Sequence, residues 1–160
     1  MKKLLAVVLS LSLLLAGCGS SEAKSEVKLD AEGFIAKTVE KLTETDDMVE
    51  LSEEKLGDFY SVPFDGLKKA TVYVSGTRST SNEVCVLELE NADAEAAAKE
   101  AVEKRLEEQK ASYKDYIPSE YEKLTGSMTS VKVVGNNVIF VAGLESADVD
   151  SLIEEFTKEA

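Results

Sequence analysis

The chain has no histidine. That removes the commonest general base and the commonest metal ligand. Its two cysteines, Cys18 and Cys85, lie far apart, so no Cys/His cluster exists to hold zinc. Acidic residues are plentiful, but none form a loop with the alternating spacing of a calcium site. Asp46-Asp47 and the pair Asp148 and Asp150 stand apart and read as helix caps or solvated surface. There is no glycine-rich phosphate loop and no Gly-x-Ser-x-Gly elbow. Ser52-Glu53-Glu54-Lys55 fits the Ser-x-x-Lys pattern of penicillin-binding enzymes, as does Ser25 with Lys28. The partner motifs and the long catalytic domain are missing, so Ser52 reads as a helix cap. No catalytic residue, cofactor or metal is expected from these patterns.

Long hydrophobic runs are also scarce. One apolar stretch, residues 4–15, has twelve positions and is broken by Ser10 and Ser12. A spanning helix needs ~20 apolar residues, because the hydrocarbon core is ~30 Å thick. This stretch follows Met1-Lys2-Lys3 and precedes a polar, Ser-rich segment, so it reads as the core of a cleavable export signal. Leu15-Ala16-Gly17-Cys18 resembles the lipobox of bacterial lipoproteins. The resemblance implies cleavage between Gly17 and Cys18 and a diacylglyceryl group on the Cys18 thiol. Small residues at Ala16 and Gly17 let the backbone enter a peptidase cleft, and Cys18 supplies the sulfur nucleophile. The alternative is an ordinary signal peptide with an incidental cysteine; the order and spacing of the parts favour the lipobox. Two acyl chains anchor a protein stably, whereas one does so only marginally.

Removing residues 1–17 of 160 leaves 143, enough for one domain. Residues 18–28 are small, polar and poor in bulky side chains, and read as the lipidated cysteine with a flexible tether. Residues 29–160 then form a single domain. Loss of Lys2 and Lys3 takes the formal charge from −13 to −15. Such a body is repelled by nucleic acid and by anionic lipid heads, so neither is an expected partner. With Cys18 lipidated, Cys85 has no intramolecular partner. Its alternation with Leu87 and Leu89 makes it a small buried hydrophobe rather than a reactive thiol.

Hydrophobic periodicity predicts a helix over 30–42 and a short one over 52–59, capped by Ser52. Strands are expected over 70–75 and 83–90, joined by the polar loop 76–82. The clearest helix spans 93–113, with Asp93 as its cap and i,i+4 pairs of Glu95 with Lys99 and Glu100 with Lys104. Pro118 opens a short helix that Gly126 ends. Strands over 129–134 and 138–144 flank Gly135-Asn136-Asn137, which suit a tight hairpin. This hairpin is apolar on both faces, so it is expected to be central or covered twice. A last helix runs from Asp148 to about Lys158, with Val149, Leu152, Ile153 and Phe156 inward. The order α-ββ-α-ββ-α favours a two-layer α+β domain, an antiparallel sheet of about four strands with helices packed on it.

Residues 59–144 resemble a family of small bacterial lipoproteins, domain of unknown function 4358. The resembling residues are Phe59-Tyr60, Val72-Tyr73-Val74-Ser75, Glu83-Val84, Arg105 and Gln109, Tyr116-Ile117-Pro118, and the Gly135-Asn136-Asn137 turn. The resemblance implies an extracytoplasmic lipoprotein of Gram-positive-type bacteria and carries no activity. It also implies a glycine after Tyr60, where this chain has Ser61-Val62-Pro63.

One constellation stands out. At ~100° per residue, Ala98, Val102, Leu106, Tyr113 and Tyr116 fall near one direction of the long helix, with Gln109 inside the stripe and Arg105 at its edge. Polar groups that face a core need partners, and Glu83 at the mouth of a strand is one candidate for Arg105. Glu83, Arg105, Gln109 and Tyr116 therefore form either a structural network or a small polar pocket. Three functions are expected, in this order. The first is a non-enzymatic binding or accessory domain, held by lipid on Cys18 at the outer face of the cytoplasmic membrane and meeting an envelope or membrane protein. The second is a small envelope-acting enzyme working through carboxylates, and the third a ligand-binding or sensor lipoprotein.

Overall fold

The computed structural model describes residues 27–159. Leu15, Ala16, Gly17 and Cys18, and so the export signal and lipidation site, lie outside the described residues. The elements in chain order are β1 (Val27–Leu29), α1 (Ala31–Leu42), β2 (Met48–Glu50), α2 (Glu53–Tyr60), β3 (Leu67–Ser75) and β4 (Glu83–Leu89). A 3-10 turn (Ala92–Ala94) leads into α3 (Glu95–Tyr113) and α4 (Pro118–Thr125). Then come β5 (Thr129–Val134), β6 (Asn137–Ala142), α5 (Ser146–Phe156) and β7 (Thr157–Glu159).

The architecture is α+β, built on a five-stranded antiparallel sheet in the order β2-β3-β4-β6-β5. The central strands β4 and β6 explain the layering. On one face Cys85, Leu87, Val138 and Phe140 pack under α2, α3 and α4, together with Tyr60, Val102 and Leu124. On the other face Val84, Val86, Ile139 and Val141 pack under α1 and α5, together with Phe34, Leu42, Val149 and Leu152. Two apolar faces need two covers, so helices lie on both sides of the sheet. The sheet has five strands where about four were expected, and three layers replace two. Each fully buried Val, Leu or Phe here contributes roughly 1.5–3 kcal/mol by leaving water.

The extra strand is β2, whose three residues pair with 73–75 of β3. The second hairpin divides its burial unequally. Strand β6 is central and buried, whereas β5 is an edge on which Val131 and Val133 remain 37% and 38% exposed. Its turn is two residues, since Val134 pairs with Asn137. Gly135 has φ +54°, and a Cβ there would meet the Val27 carbonyl oxygen at 2.2 Å, so only glycine fits.

Several boundaries differ from expectation. The tether assigned to 18–28 ends early, because Val27 and Lys28 pair with Glu159 and Lys158 in a β1-β7 ribbon. The same ribbon ends the last helix at Phe156 rather than near Lys158. Asp93 does not cap the long helix; it lies in the 3-10 turn, and its N–H donates to Asn91 Oδ1 at 2.9 Å. Asp148 sits inside the first turn of α5, whose cap position is Glu145. Lys99 meets Glu95 at 2.5 Å, but Lys104 donates to Ser61 Oγ at 2.9 Å instead of pairing with Glu100. Asp30 does cap α1, accepting from Gly33 N at 3.0 Å.

Candidate functional site

Glu83 is the first residue of β4, paired between Val74 of β3 and Ala142 of β6. Those neighbours bury it completely. A bare carboxylate there is untenable, and α2 and α3 supply the donors it needs. Residues 105 and 109 are one helical turn apart and so share a face of α3. Arg105 Nε donates to Glu83 Oε1 at 3.0 Å and to Oε2 at 3.2 Å, and Nη2 donates to Oε2 at 2.5 Å. Gln109 Nε2 donates to the same Oε2 at 2.5 Å. Tyr60, the last residue of α2, donates its hydroxyl to Oε1. Three elements are thereby tied at one buried carboxylate.

The electrostatics follow from this packing. Burial works against the Arg105 charge, but the hydrogen bonds and attraction of Glu83 outweigh it and raise the guanidinium above its ordinary value. Burial, reinforced by the charges nearby, pushes the Tyr60 hydroxyl well above the usual tyrosine range, so it stays a donor. Burial likewise raises the Cys85 thiol beside it, which is protonated and inert. The Arg105 guanidinium also lies 4.4 Å from the centroid of the Phe59 ring, a cation–π contact. Two polar groups are left over. Gln109 Oε1 is buried with no hydrogen-bond partner among the described residues. Arg105 Nη1 has no hydrogen-bond partner among the described residues and is not fully buried.

This network forms the floor of a cleft of about 810 Å³. Leu51, Phe59, Val74, Tyr113 and Ile117 give it apolar and aromatic walls, while Lys55 and Arg78 bring charge to it. Arg78 has φ +59°, a left-handed conformation that is costly for a residue with a side chain. Its N–H donates to Ser75 Oγ at 2.9 Å.

Loop 76–82, which carries Arg78, is fixed by two further carboxylates. Asp46 accepts from the hydroxyls of Ser75, Thr77 and Thr80. Burial pushes its carboxyl up, but these bonds outweigh burial and hold it below the ordinary value. Glu120 of α4 accepts from Ser81 N at 2.7 Å and Ser81 Oγ at 2.9 Å through Oε2, and from Lys123 at 2.7 Å through Oε1. Burial again acts upward and the bonds downward, with the bonds prevailing. Asp46 and Glu120 are thus structural anchors, a role that neither sequence spacing nor charge suggested. Among the described residues no group of three or more His, Cys, Asp or Glu is placed to hold a metal ion.

The structure places Glu83, Arg105, Gln109 and Tyr116 around one cleft, and joins the first three, but not Tyr116, in a hydrogen-bond network. Tyr116 is 87% exposed at the cleft, beyond the end of α3. The helical projection that aligned it with Val102 holds only to Tyr113, because the chain then turns before α4. The tyrosine that does reach Glu83 is Tyr60. Its one sequence signal was its place in Phe59-Tyr60, since an eight-residue helix offers too few turns for a polar residue to stand out from its core face.

Ser52 occupies the cap position of α2 but makes no side-chain cap bond. No helix among the described residues is long and apolar enough to cross a membrane. No curated protein and no solved structure matches the chain. The model of one protein family, described as a domain of unknown function (DUF4358), matches residues 40–143, which run from α1 through β6 and take in Tyr60, Glu83, Arg105 and Gln109. That match spans well over half of the chain, and the protein belongs to this family.

Proposed function

We propose that the protein is a lipid-anchored extracytoplasmic binding domain, and that the cleft above Glu83 and Arg105 receives its ligand. The cleft carries this reading. It is of the size that takes a small molecule, its walls are apolar and aromatic, and a few fixed polar groups converge on its floor. The Leu15-Ala16-Gly17-Cys18 sequence supports the anchor. A carboxylate enzyme is the weaker reading. Both oxygens of Glu83, the carboxylate at the floor of the cleft, are already taken up by donors within the protein. A nucleophile or general base needs a free lone pair facing the substrate.

Two measurements test the proposal. Growth with labelled palmitate is expected to label the chain and place it in the membrane fraction, and Cys18→Ala to abolish both; label retained on the Cys18→Ala chain rules out the anchor. For the cleft, small molecules retained by the full chain from an extract of the host are compared with those retained by Ser112→Trp. Ser112 is exposed and lines the cleft, so an indole there obstructs it. A retained compound that the variant loses is the expected result. Identical retention by the two chains removes the cleft as the site.

A further inference from the structure

The chemistry of the cleft narrows what it holds. The protein carries a formal charge of −13, yet three cationic side chains line this cleft, Lys55, Arg78 and Arg105. Two carboxylates line it as well, Glu50 and Glu83. Glu83 is paired with Arg105 and also bonded by Gln109 and Tyr60, while Glu50 accepts only from the neutral Tyr73 hydroxyl at 3.0 Å, so three cationic side chains stand against two carboxylates. Neither Lys55 nor Arg78 forms an ion pair with a described residue. The local balance is therefore positive within a negative molecule.

The posture of Arg105 adds to this. Glu83 grips the guanidinium along its Nε and Nη2 edge, which leaves Nη1 without a partner among the described residues. A guanidinium held from one side keeps its orientation and still has N–H donors to give. Arg78 stands in a left-handed conformation held by Ser75, within a loop that Asp46 and Glu120 fasten. That anchoring holds Arg78 at the cleft with its side chain exposed. Beside these cations lie the rings of Phe59, Tyr113 and Tyr116.

We infer that the cleft selects a small organic anion, an acidic group carried on an apolar body of about the size of one or two rings. The inference rests on the binding reading above and specifies its ligand class. The acidic group meets the free edge of Arg105 and the side chains of Lys55 and Arg78, while the body lies against the aromatic walls. The acidic surface elsewhere repels anions at long range, so affinity depends on these three side chains.

The test compares 2-naphthoate with 2-naphthamide, which share a ring system and differ in charge. The full chain is held in neutral-lipid nanodiscs, and each probe is measured by equilibrium dialysis with empty discs subtracted. Naphthoate is expected to bind at least about tenfold more tightly than the amide, the usual size of one charge-assisted hydrogen bond. The double variant Lys55→Gln/Arg78→Gln removes two exposed charges and leaves the floor of the cleft intact. It is expected to cut the preference for naphthoate over the amide severalfold, the remainder being due to Arg105, with the melting temperature unchanged. Equal binding of the two probes by the parent chain, or undiminished naphthoate binding by the double variant, overturns the inference and leaves the cleft reading in place. Binding of neither probe also overturns it, and the cleft reading is then decided separately by the Ser112→Trp comparison.

Discussion

Glu83 holds Arg105 from inside the protein, a fully buried carboxylate at the head of a central strand gripping a guanidinium 2.5 Å away on the long helix. Breaking one side of such a pair leaves a buried charge with no counterion, which costs about 3–5 kcal/mol. Arg105→Ala is expected to lower the unfolding free energy by about that amount in urea denaturation. Arg105→Lys is expected to recover only part of it, because an ammonium cannot reproduce the two-pronged Nε and Nη2 geometry. A chain that keeps its stability in Arg105→Ala but loses ligand binding would show that the pair serves the site rather than the fold.

Ser61 takes the place of a glycine that the family resemblance implies. The structure gives a reason for that glycine. Ser61 ends α2 in the left-handed conformation, φ +54° and ψ +34°, with its N–H donated to Gly57 O. Left-handed backbone costs a residue with a Cβ about 1–2 kcal/mol, and glycine avoids most of this. Ser61→Gly is therefore expected to raise stability by up to about 1 kcal/mol, after the loss of the exposed Lys104 contact and of some chain stiffness. Thermal melting reads this directly; a fall in melting temperature would mean that the Ser61 side chain outweighs its backbone strain.

What the sequence made legible was whatever repeats along an element. Arg105 and Gln109 stood out against the apolar stripe of α3 because nineteen residues supply many turns of the same pattern. Asp30, Pro118 and the Gly135-Asn136 turn announced themselves through local backbone chemistry. The three-residue strand β2 carried too few residues for alternation to register. The third layer was signalled only by the second hairpin, apolar on both faces, while Glu88 and Glu90 made one face of β4 look polar. That face is apolar at Val84 and Val86, deeper in the sheet, where α1 and α5 cover it. Tyr60, Asp46 and Glu120 act across 23 to 39 residues of separation, and such meetings leave no local signature.

Asp46 and Glu120 give the loop over the cleft an acid-sensitive hold. Both carboxyls sit below their ordinary values of 3.8 and 4.5 in the folded chain. The stability they add is present in full above the unfolded values and is lost as pH falls through the lower folded ones. Stability is thus expected to be flat from neutral pH to about 5 and to fall below about 4.5. Asp46→Asn should flatten part of that fall and free the amide protons of loop 76–82 to exchange faster. Unaltered exchange in that loop would mean that Asp46 does not hold it.

Thiol counting tests the proposed anchor together with the fold. Cys85 is fully buried and its thiol is pushed above the ordinary range by burial, so an aromatic disulfide reagent should not reach it in the native chain. In denaturant it becomes accessible and reacts. Cys18, if it carries lipid through its sulfur, reacts in neither state. The mature protein from membranes is therefore expected to show no reactive thiol when native and one when unfolded. The unprocessed chain made without export should show Cys18 as a second, unprotected thiol in denaturant. Two thiols in the unfolded membrane-derived protein would remove the thioether on which the anchor depends, and a rapid reaction in the native state would mean that the core around Tyr60 and Cys85 opens more readily than its packing implies.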